Sequence, residues 1–159
     1  MKKIFLMIVL VLSVLANTCF AFEPVITSDT RTFNPLTGVY ELTGNVHVEL
    51  QSHDQPIIIK GGHAKVNIYA MEVHADKNIS LTFGELNFLT DQVDVYHKDR
   101  TAYVIGNCKF HDKRINVTSD KGSYCWRTKL AIFSGNVRLD GAAVPGDLQY
   151  NVLTGEIVK

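Results

Sequence analysis

Aspartate is the residue whose spacing in this chain first suggests chemistry, because paired carboxylates can serve as general acid and base. Three aspartates each stand fifteen residues before a Gly-Asn pair, and they are Asp29, Asp91 and Asp120. Asp120 follows Asp91 by one full period of a 29-residue repeat, so each acid belongs to a different copy. We therefore expect no acid-base pair, and predict that these carboxylates bond backbone amides at turns.

The Gly-Asn pairs repeat with the same period and predict a backbone feature. Complete copies are Gly44-Asn45, Gly106-Asn107 and Gly135-Asn136. In a degraded copy, Gly62 stands at the position of the aspartate and Lys77-Asn78 at that of the Gly-Asn pair. Glycine adopts positive φ freely and asparagine tolerates the left-handed region, so each pair predicts a tight bend or bulge between strands. The first copy is displaced by four residues, which the turn-like stretch 51–56 can contain.

Histidine and cysteine offer little further chemistry. The six histidines show no metal-ligand spacing with cysteines or acids, so we expect a solvated surface role and no metal or other cofactor. Cys108 and Cys125 fall on opposite strand faces, which disfavours a disulfide and suggests that Cys108 is a small buried hydrophobe. The sequence contains no nucleophile elbow, phosphate-binding loop or zinc-protease motif, which argues against an enzyme.

Alternation with a period of two dominates the chain and identifies the elements that carry these residues. Val46, Val48 and Leu50 alternate with polar neighbours, and the same pattern recurs throughout the sequence. Enrichment in β-branched and aromatic residues at this period predicts strands with one apolar face. We predict one all-β domain over residues 22–159, in which each 29-residue unit contains several short strands.

Residues 1–21 have the composition of an export signal. Lys2-Lys3 precede an apolar stretch from Ile4 to Leu15, and Ala21 ends a plausible cleavage site. The alternatives are a retained membrane anchor and a lipoprotein signal at Cys19. Cleavage would leave 14 basic residues against 16 acids, a balance that disfavours nucleic acid as a partner.

The repeats predict an elongated antiparallel β-jelly roll of stacked units, in which each unit buries its apolar face against its neighbours. The tail 148–155 echoes the start 32–38. Exposed strand edges recruit matching strands. We expect a C-terminal edge near Leu148 to Val152 and a complementary edge around Tyr40 to Val48, which would support head-to-tail association.

These motifs resemble the OstA-like/LptA family of periplasmic lipopolysaccharide-transport proteins over roughly residues 25–140. The resemblance rests on Asp29 leading to Gly44-Asn45-Val46, and on Asp120 leading through Tyr124 to Gly135-Asn136-Val137. It implies a jelly roll whose apolar groove shields lipid A acyl chains. It also implies head-to-tail stacking, and docking to related jelly-roll proteins at the inner and outer membranes.

The candidate lining residues of this groove are the apolar-phase side chains, which have an alternative role as ordinary core residues that pack against each other. If the groove is filled, the protein is a structural assembly module without lipid; if the N-terminal segment is retained, it is an anchored relative of the same fold. The predicted lining consists of Val66, Ile68, Ile79, Leu81, Phe83, Phe88, Val93, Val95, Tyr103, Ile105, Phe110, Val117, Tyr124, Trp126 and Ile132.

Overall fold

The computed structural model describes residues 23–52 and 55–158, and every regular element in that part of the chain is a β-strand. The predicted signal peptide lies outside the described residues. The strands are β1 (Val25–Thr27), β2 (Thr30–Asn34), β3 (Val39–Leu50), β4 (Ile57–Asn67), β5 (Glu72–Phe83), β6 (Leu86–Tyr96), β7 (Thr101–His111), β8 (Asn116–Cys125), β9 (Leu130–Ser134), β10 (Arg138–Leu139), β11 (Ala142–Ala143), β12 (Leu148–Asn151) and β13 (Glu156–Val158).

The strands form one antiparallel sheet in which each long strand pairs with the next along the chain. Its main path runs β1-β3-β4-β5-β6-β7-β8-β9-β12-β13. β2 also pairs with β3, while β10 pairs with both β8 and β11. Consecutive pairing suits a repeat, because each new hairpin extends the sheet without a crossover.

A line of left-handed residues crosses the middle of the long strands. Gly44-Asn45, Lys77-Asn78, Gly106-Asn107 and Gly135-Asn136 all have positive φ, between 46° and 83°. The pairing register of the long strands shifts at the first three of these pairs, as expected for β-bulges. The predicted bulges are therefore confirmed, including the degraded Lys77 copy. Their predicted position between strands is wrong, because the first three pairs lie inside single strands. We call the line formed by the four left-handed pairs the break line.

The repeated aspartates hold the break line together through side chains. Asn45 donates from Nδ2 to Asp29 at 3.0 Å, Asn107 donates to Asp91 at 2.7 Å, and Asn136 donates to Asp120 at 2.8 Å. The prediction that these carboxylates bond backbone amides is wrong, because a side-chain amide supplies the donor. Asp91 and Asn107 sit on the neighbouring strands β6 and β7, so their bond fastens the bulge to the strand beside it. Asp29 lies in the bend between β1 and β2, and Asn136 lies in the break between β9 and β10.

The sheet folds at the break line into two facing halves. Half-sheet 1 contains β2, β9, β12 and β13 with the adjoining parts of β3 to β8, and half-sheet 2 contains β1, β10, β11 and the remaining parts. Inward side chains of the two halves form one hydrophobic core. The all-β, elongated jelly-roll prediction is confirmed.

The repeat unit is simpler than the sequence suggested. Residues 72–100 and 101–129 each contain two long strands of ten to twelve residues, not several short ones. Residues 130–158 do contain several short strands, of two to five residues each. The short alternating runs in the sequence are halves of strands interrupted at the break line. The four extra residues of the first copy do lie in 51–56, since Leu50 pairs with Ile57 whereas the equivalent Phe83 pairs with Leu86.

We expect Gly106→Ala to destabilise the fold by about 2–3 kcal/mol, which urea unfolding would measure. The alanine would have to adopt a φ of +83°. Its Cβ would lie 2.5 Å from Asp91 Oδ2 and would displace this acceptor of the Asn107 hydrogen bond. Gly141→Ala is the matched control, because Gly141 has a φ of +87° with nothing within 4 Å. It should cost only the backbone strain, about 1 kcal/mol. Equal losses would show that the close approach to Asp91 contributes nothing.

Candidate functional site

A hydrophobic core fills the space between the half-sheets, and we call this space the interior. Its side chains are at most 7% exposed, and the buried polar or charged residues in the described chain are Thr90, Asp112 and Ser119. Ile68 is half-buried and packs against this core. The structure brings eleven further predicted lining residues together here, namely Val66, Ile79, Leu81, Phe83, Phe88, Val93, Val95, Phe110, Val117, Tyr124 and Trp126.

Three predicted lining residues do not face the interior. Tyr103 is 47% exposed and Ile105 is 38% exposed, and Ile132 is half-buried outside the core. The inward residues of these strands are Ala102 and Val104 in β7 and Ala131 and Phe133 in β9. The repeat explains the error, because positions 102 and 131 both hold alanine. The larger outward neighbours therefore gave the stronger apolar alternation.

Sequence reasoning also omitted several central residues from the lining. Leu42, Ile57 and Ile59 are fully buried in β3 and β4, and Phe133 and Tyr150 are fully buried near the other end. The repeat would have found Phe133, since it lies one repeat period after the inward Val104. No comparable signal exists for Tyr150, which follows the last complete Gly-Asn unit.

The interior is closed by aromatic packing between the two halves. The Phe83 ring lies 5.1 Å from that of Tyr124 and 5.4 Å from that of Trp126. Phe110 lies 5.1 Å from Phe133. Since Phe83 and Phe110 belong to half-sheet 2 and their partners to half-sheet 1, these contacts hold the halves together. The lining residues of this structure thus pack on each other.

Opposite the break line, the turns of the two half-sheets meet along one long side, which we call the mouth. His97 donates from Nε2 to the Gln51 carbonyl oxygen at 3.0 Å. Trp126 covers Phe83 further along, and the Arg114 guanidinium donates to the Val152 carbonyl oxygen. Any molecule that enters the interior from this side must separate these contacts.

Another set of mouth contacts surrounds a buried carboxylate. Tyr150 donates its hydroxyl to Asp112 Oδ2 at 2.6 Å, and the backbone N–H groups of Arg114 and Ile115 donate to Oδ1 at 2.6 and 2.9 Å. Burial opposes ionisation of Asp112, but these bonds outweigh it and hold the pKa of the carboxyl below its usual value. Burial, followed by the bond to Asp112, raises the pKa of Tyr150 to about 12.

The other titratable groups of residues 23–52 and 55–158 do not meet the requirements of a metal site. No group of three or more His, Cys, Asp or Glu suitable for a metal ion occurs among the described residues. Histidines on the outer face pair with acids instead, as His63 does with Asp76 at 3.1 Å and His74 with Asp94 at 2.9 Å.

Cys108 and Cys125 are both free thiols in this structure. Cys108 is buried, and burial raises the pKa of its thiol to about 11. Cys125 sits at the start of a turn. Burial raises the pKa of its thiol, but hydrogen bonds, chiefly from Thr128, outweigh that effect and bring it to about 7.

The sheet edges differ from those expected. Strand β12 lies between β9 and β13, so the C-terminal edge of half-sheet 1 is Glu156–Val158 and not Leu148 to Val152. Likewise, β3 is covered by β1 and β2, which form the opposite edge in place of Tyr40 to Val48. The echo between tail and start has a structural basis. Asn34 and Asn151 each accept a backbone N–H two residues later, and both turns end on a positive-φ glycine.

The fold is a two-layered antiparallel β-jelly roll around one continuous apolar interior. The sequence profile described as OstA-like protein matches residues 12–144, and the chain belongs to the OstA-like family. No curated protein matches the chain in sequence. The described residues form no helix suited to crossing a bilayer.

A solved structure shares this fold at low sequence identity. It is LptH of Pseudomonas aeruginosa, described as the LptA-homologous periplasmic component of the conserved lipopolysaccharide transport device. The two structures superpose with a TM-score of 0.66 at 9% identity, over 74% of this chain and 94% of LptH. At that identity the likeness establishes the fold alone.

We expect Tyr150→Phe to destabilise the protein by about 1.5–3 kcal/mol near neutral pH, because it removes a donor from the buried Asp112 carboxylate. The folded-state pKa of Tyr150 is raised, so its contribution is complete below about pH 10 and is lost as the pH rises towards about 12. Urea unfolding of both proteins across this range would measure the difference.

Tyr69→Phe is the control for this prediction, since Tyr69 is 60% exposed and donates its hydroxyl to the Pro35 carbonyl oxygen. It should change stability by no more than about 0.5 kcal/mol. A Tyr150→Phe effect that stays constant from pH 8 to 12 would contradict the assigned titration.

Proposed function

We propose that this chain is a non-enzymatic periplasmic carrier or bridge that shields the acyl chains of lipopolysaccharide during transport to the outer membrane. The observation that carries the proposal is the continuous apolar interior, which runs through the units of a fold shared with LptH. Each methylene group hidden from water contributes about 0.8 kcal/mol, so a lipid with several acyl chains needs a long dry surface. Membership of the OstA-like family supports the same role.

The packed state of the interior sets the mechanism. Acyl chains gain a dry environment only if the half-sheets separate at the mouth, where Phe83–Trp126, His97–Gln51 and the Arg114–Val152 bond now join them. The break line then acts as the fold axis, since its hydrogen-bonded Asp–Asn pairs lie on the side away from the mouth. The acyl chains of the lipid replace the aromatic contacts between the halves, and the strand pairing within each half is retained.

Export is part of this proposal. Cleavage after Ala21 would release a mature chain of residues 22–159 into the periplasm, where lipid A is the proposed ligand and no cofactor is required. The apolar stretch Ile4 to Leu15 behind Lys2-Lys3 supports this localisation.

A structural assembly module that holds no lipid is the second candidate. It is favoured by the close packing of the interior, in which Leu81, Phe88 and Val93 are fully buried by the protein itself. The two functions share the proposed head-to-tail association and docking to related jelly-roll proteins. They differ in whether the interior opens.

Photo-crosslinking at two adjacent positions distinguishes the carrier from the filled module. Phe88 is fully buried in the interior, whereas its neighbour Leu89 is 49% exposed on the outer face. We expect a photoreactive residue at position 88 to capture lipopolysaccharide in cells, and the same residue at 89 not to do so. Both positions are apolar in the wild-type chain, so a difference in capture does not reflect non-specific hydrophobic adsorption of the lipid. Equal capture at 88 and 89 in folded protein would exclude the carrier and favour the module.

Self-association is predicted to use the sheet edges. Strand β13 exposes Ile157 and Val158 at one end, and β1 with β2 forms the other edge, so pairing is heterologous and growth continues beyond a dimer. Ile157→Lys should weaken association because charged residues on an edge oppose strand addition. Leu153→Lys, in the exposed turn before β13, is the control with the same charge change. Sedimentation over a concentration series measures the effect, and a wild type that stays monomeric at every concentration would refute self-bridging.

A further inference from the structure

Five turns of half-sheet 1 stack along the mouth, and all five end in the same backbone conformation. Their last residues are Gly38, Met71, Arg100, Lys129 and Gly155, each with φ between 56° and 77°. Met71, Arg100 and Lys129 follow one another at intervals of one repeat period, so these turns are equivalent positions of the repeat. Their side chains therefore project from corresponding points of the stack.

Two of these five positions carry a cation where glycine would be easier to accommodate. A positive φ is unfavourable for any residue with a Cβ, and the first and last turns use glycine for this reason. Met71, Arg100 and Lys129 accept the strain instead, and the last two of these are cations. Backbone strain retained at a surface position points to a requirement for the side chain itself.

Positive charge is concentrated in the same two turns. Residues 97–100 and 126–129 contain Lys98, Arg100, Arg127 and Lys129, with Asp99 as the one acid, although the whole chain has 16 basic and 16 acidic residues. The equivalent turns 34–38, 68–71 and 152–155 contain no charged side chain. The charge thus follows position in the stack and not the turn type.

The guanidinium groups of these turns stand beside the mouth without a carboxylate partner. Within the described residues, neither Arg100 nor Arg127 forms an ion pair. Trp126, which covers Phe83 at the mouth, directly precedes Arg127. The turns are two strands apart, which places them about 10 Å from each other. Arginine binds phosphate oxygens in a bidentate manner and is suited to such a site.

We propose that Lys98, Arg100, Arg127 and Lys129 form a binding site for the phosphate groups of the lipid headgroup whose acyl chains enter the interior. This site rests on the proposed carrier function, and adds to it the part of the molecule that holds the polar end of the cargo. Acyl chains lie between the half-sheets, and the phosphates remain at the mouth in water, where the cations neutralise them. The site fixes the orientation of the lipid, headgroup outward beside the two basic turns.

The test compares three ligands: lipid A with both of its phosphates, the same lipid after dephosphorylation, and inorganic pyrophosphate. The variant Arg100→Gly/Arg127→Gln should bind the phosphorylated lipid about tenfold more weakly than wild type, and the dephosphorylated lipid equally well. Wild-type affinity for the phosphorylated lipid should also fall as salt is raised.

Two controls separate charge from structure. Met71→Gly changes the equivalent backbone position without removing a charge, and should bind both lipids as wild type does. Lys109→Gln/Lys121→Gln removes two exposed cations from the outer face of β7 and β8, and should likewise retain binding. Since Arg100→Gly relieves a positive φ, its urea midpoint should equal or exceed that of wild type, so that weaker binding is not a folding defect.

Each remaining outcome has a distinct meaning. If the variant weakens both lipids equally, or neither, the headgroup site is wrong while the carrier function stands. If wild type binds pyrophosphate as tightly as the phosphorylated lipid, the turns bind free phosphate anions and the headgroup assignment is wrong. If folded wild type binds neither lipid, the carrier function fails and the headgroup site fails with it.

Discussion

The structure depends on a local conformational constraint, the pair of left-handed residues placed in the middle of alternate long strands. A strand of ten to twelve residues would otherwise continue straight, and the sheet would expose its apolar face. The pair Gly106-Asn107 bends its strand, and the bond from Asn107 to Asp91 fastens the bend to the neighbouring strand. Because the left-handed pair recurs in each unit, the bends align and the sheet folds into two facing halves.

The folding of the sheet into two halves explains both the apolar composition of the interior and the polar contacts at the mouth. The half-sheets contribute side chains to one shared core, so neither half buries its apolar face without the other. The buried polar residues of the described chain are hydrogen-bonded, as Thr90 is to the Gly106 carbonyl oxygen and as Asp112 is by Tyr150 and the turn that contains Arg114. In the described part of the chain, His97, Arg114 and Asp112 form hydrogen bonds that join the halves at the mouth, whereas backbone pairing is continuous within each half. Separation of the halves would break few hydrogen bonds but would expose the shared apolar core to water.

Much of this arrangement could be predicted from the sequence, because the repeat reports backbone conformation directly. The 29-residue period identified the bulges, including Lys77-Asn78, where the glycine is absent. The direction in which each side chain points was harder to predict from the sequence. At Ala102 and Ala131 a small inward residue stands beside a larger outward one, and residue size misled the assignment of Tyr103 and Ile132. Contacts across the mouth were not predictable, since Gln51 meets His97 and Asp112 meets Tyr150 only after the sheet has folded, at separations of 46 and 38 residues.

The strand pairing has a geometric consequence for size. Each 29-residue unit adds two strands, and neighbouring strands are about 4.8 Å apart, so one unit lengthens the molecule by about 10 Å. Insertions such as the four extra residues in 51–56 enlarge a turn without altering this step. The length of the molecule is therefore set by the number of hairpins in the chain. A span longer than one chain requires more units or more copies placed end to end, and the span can be adjusted only in increments of one hairpin.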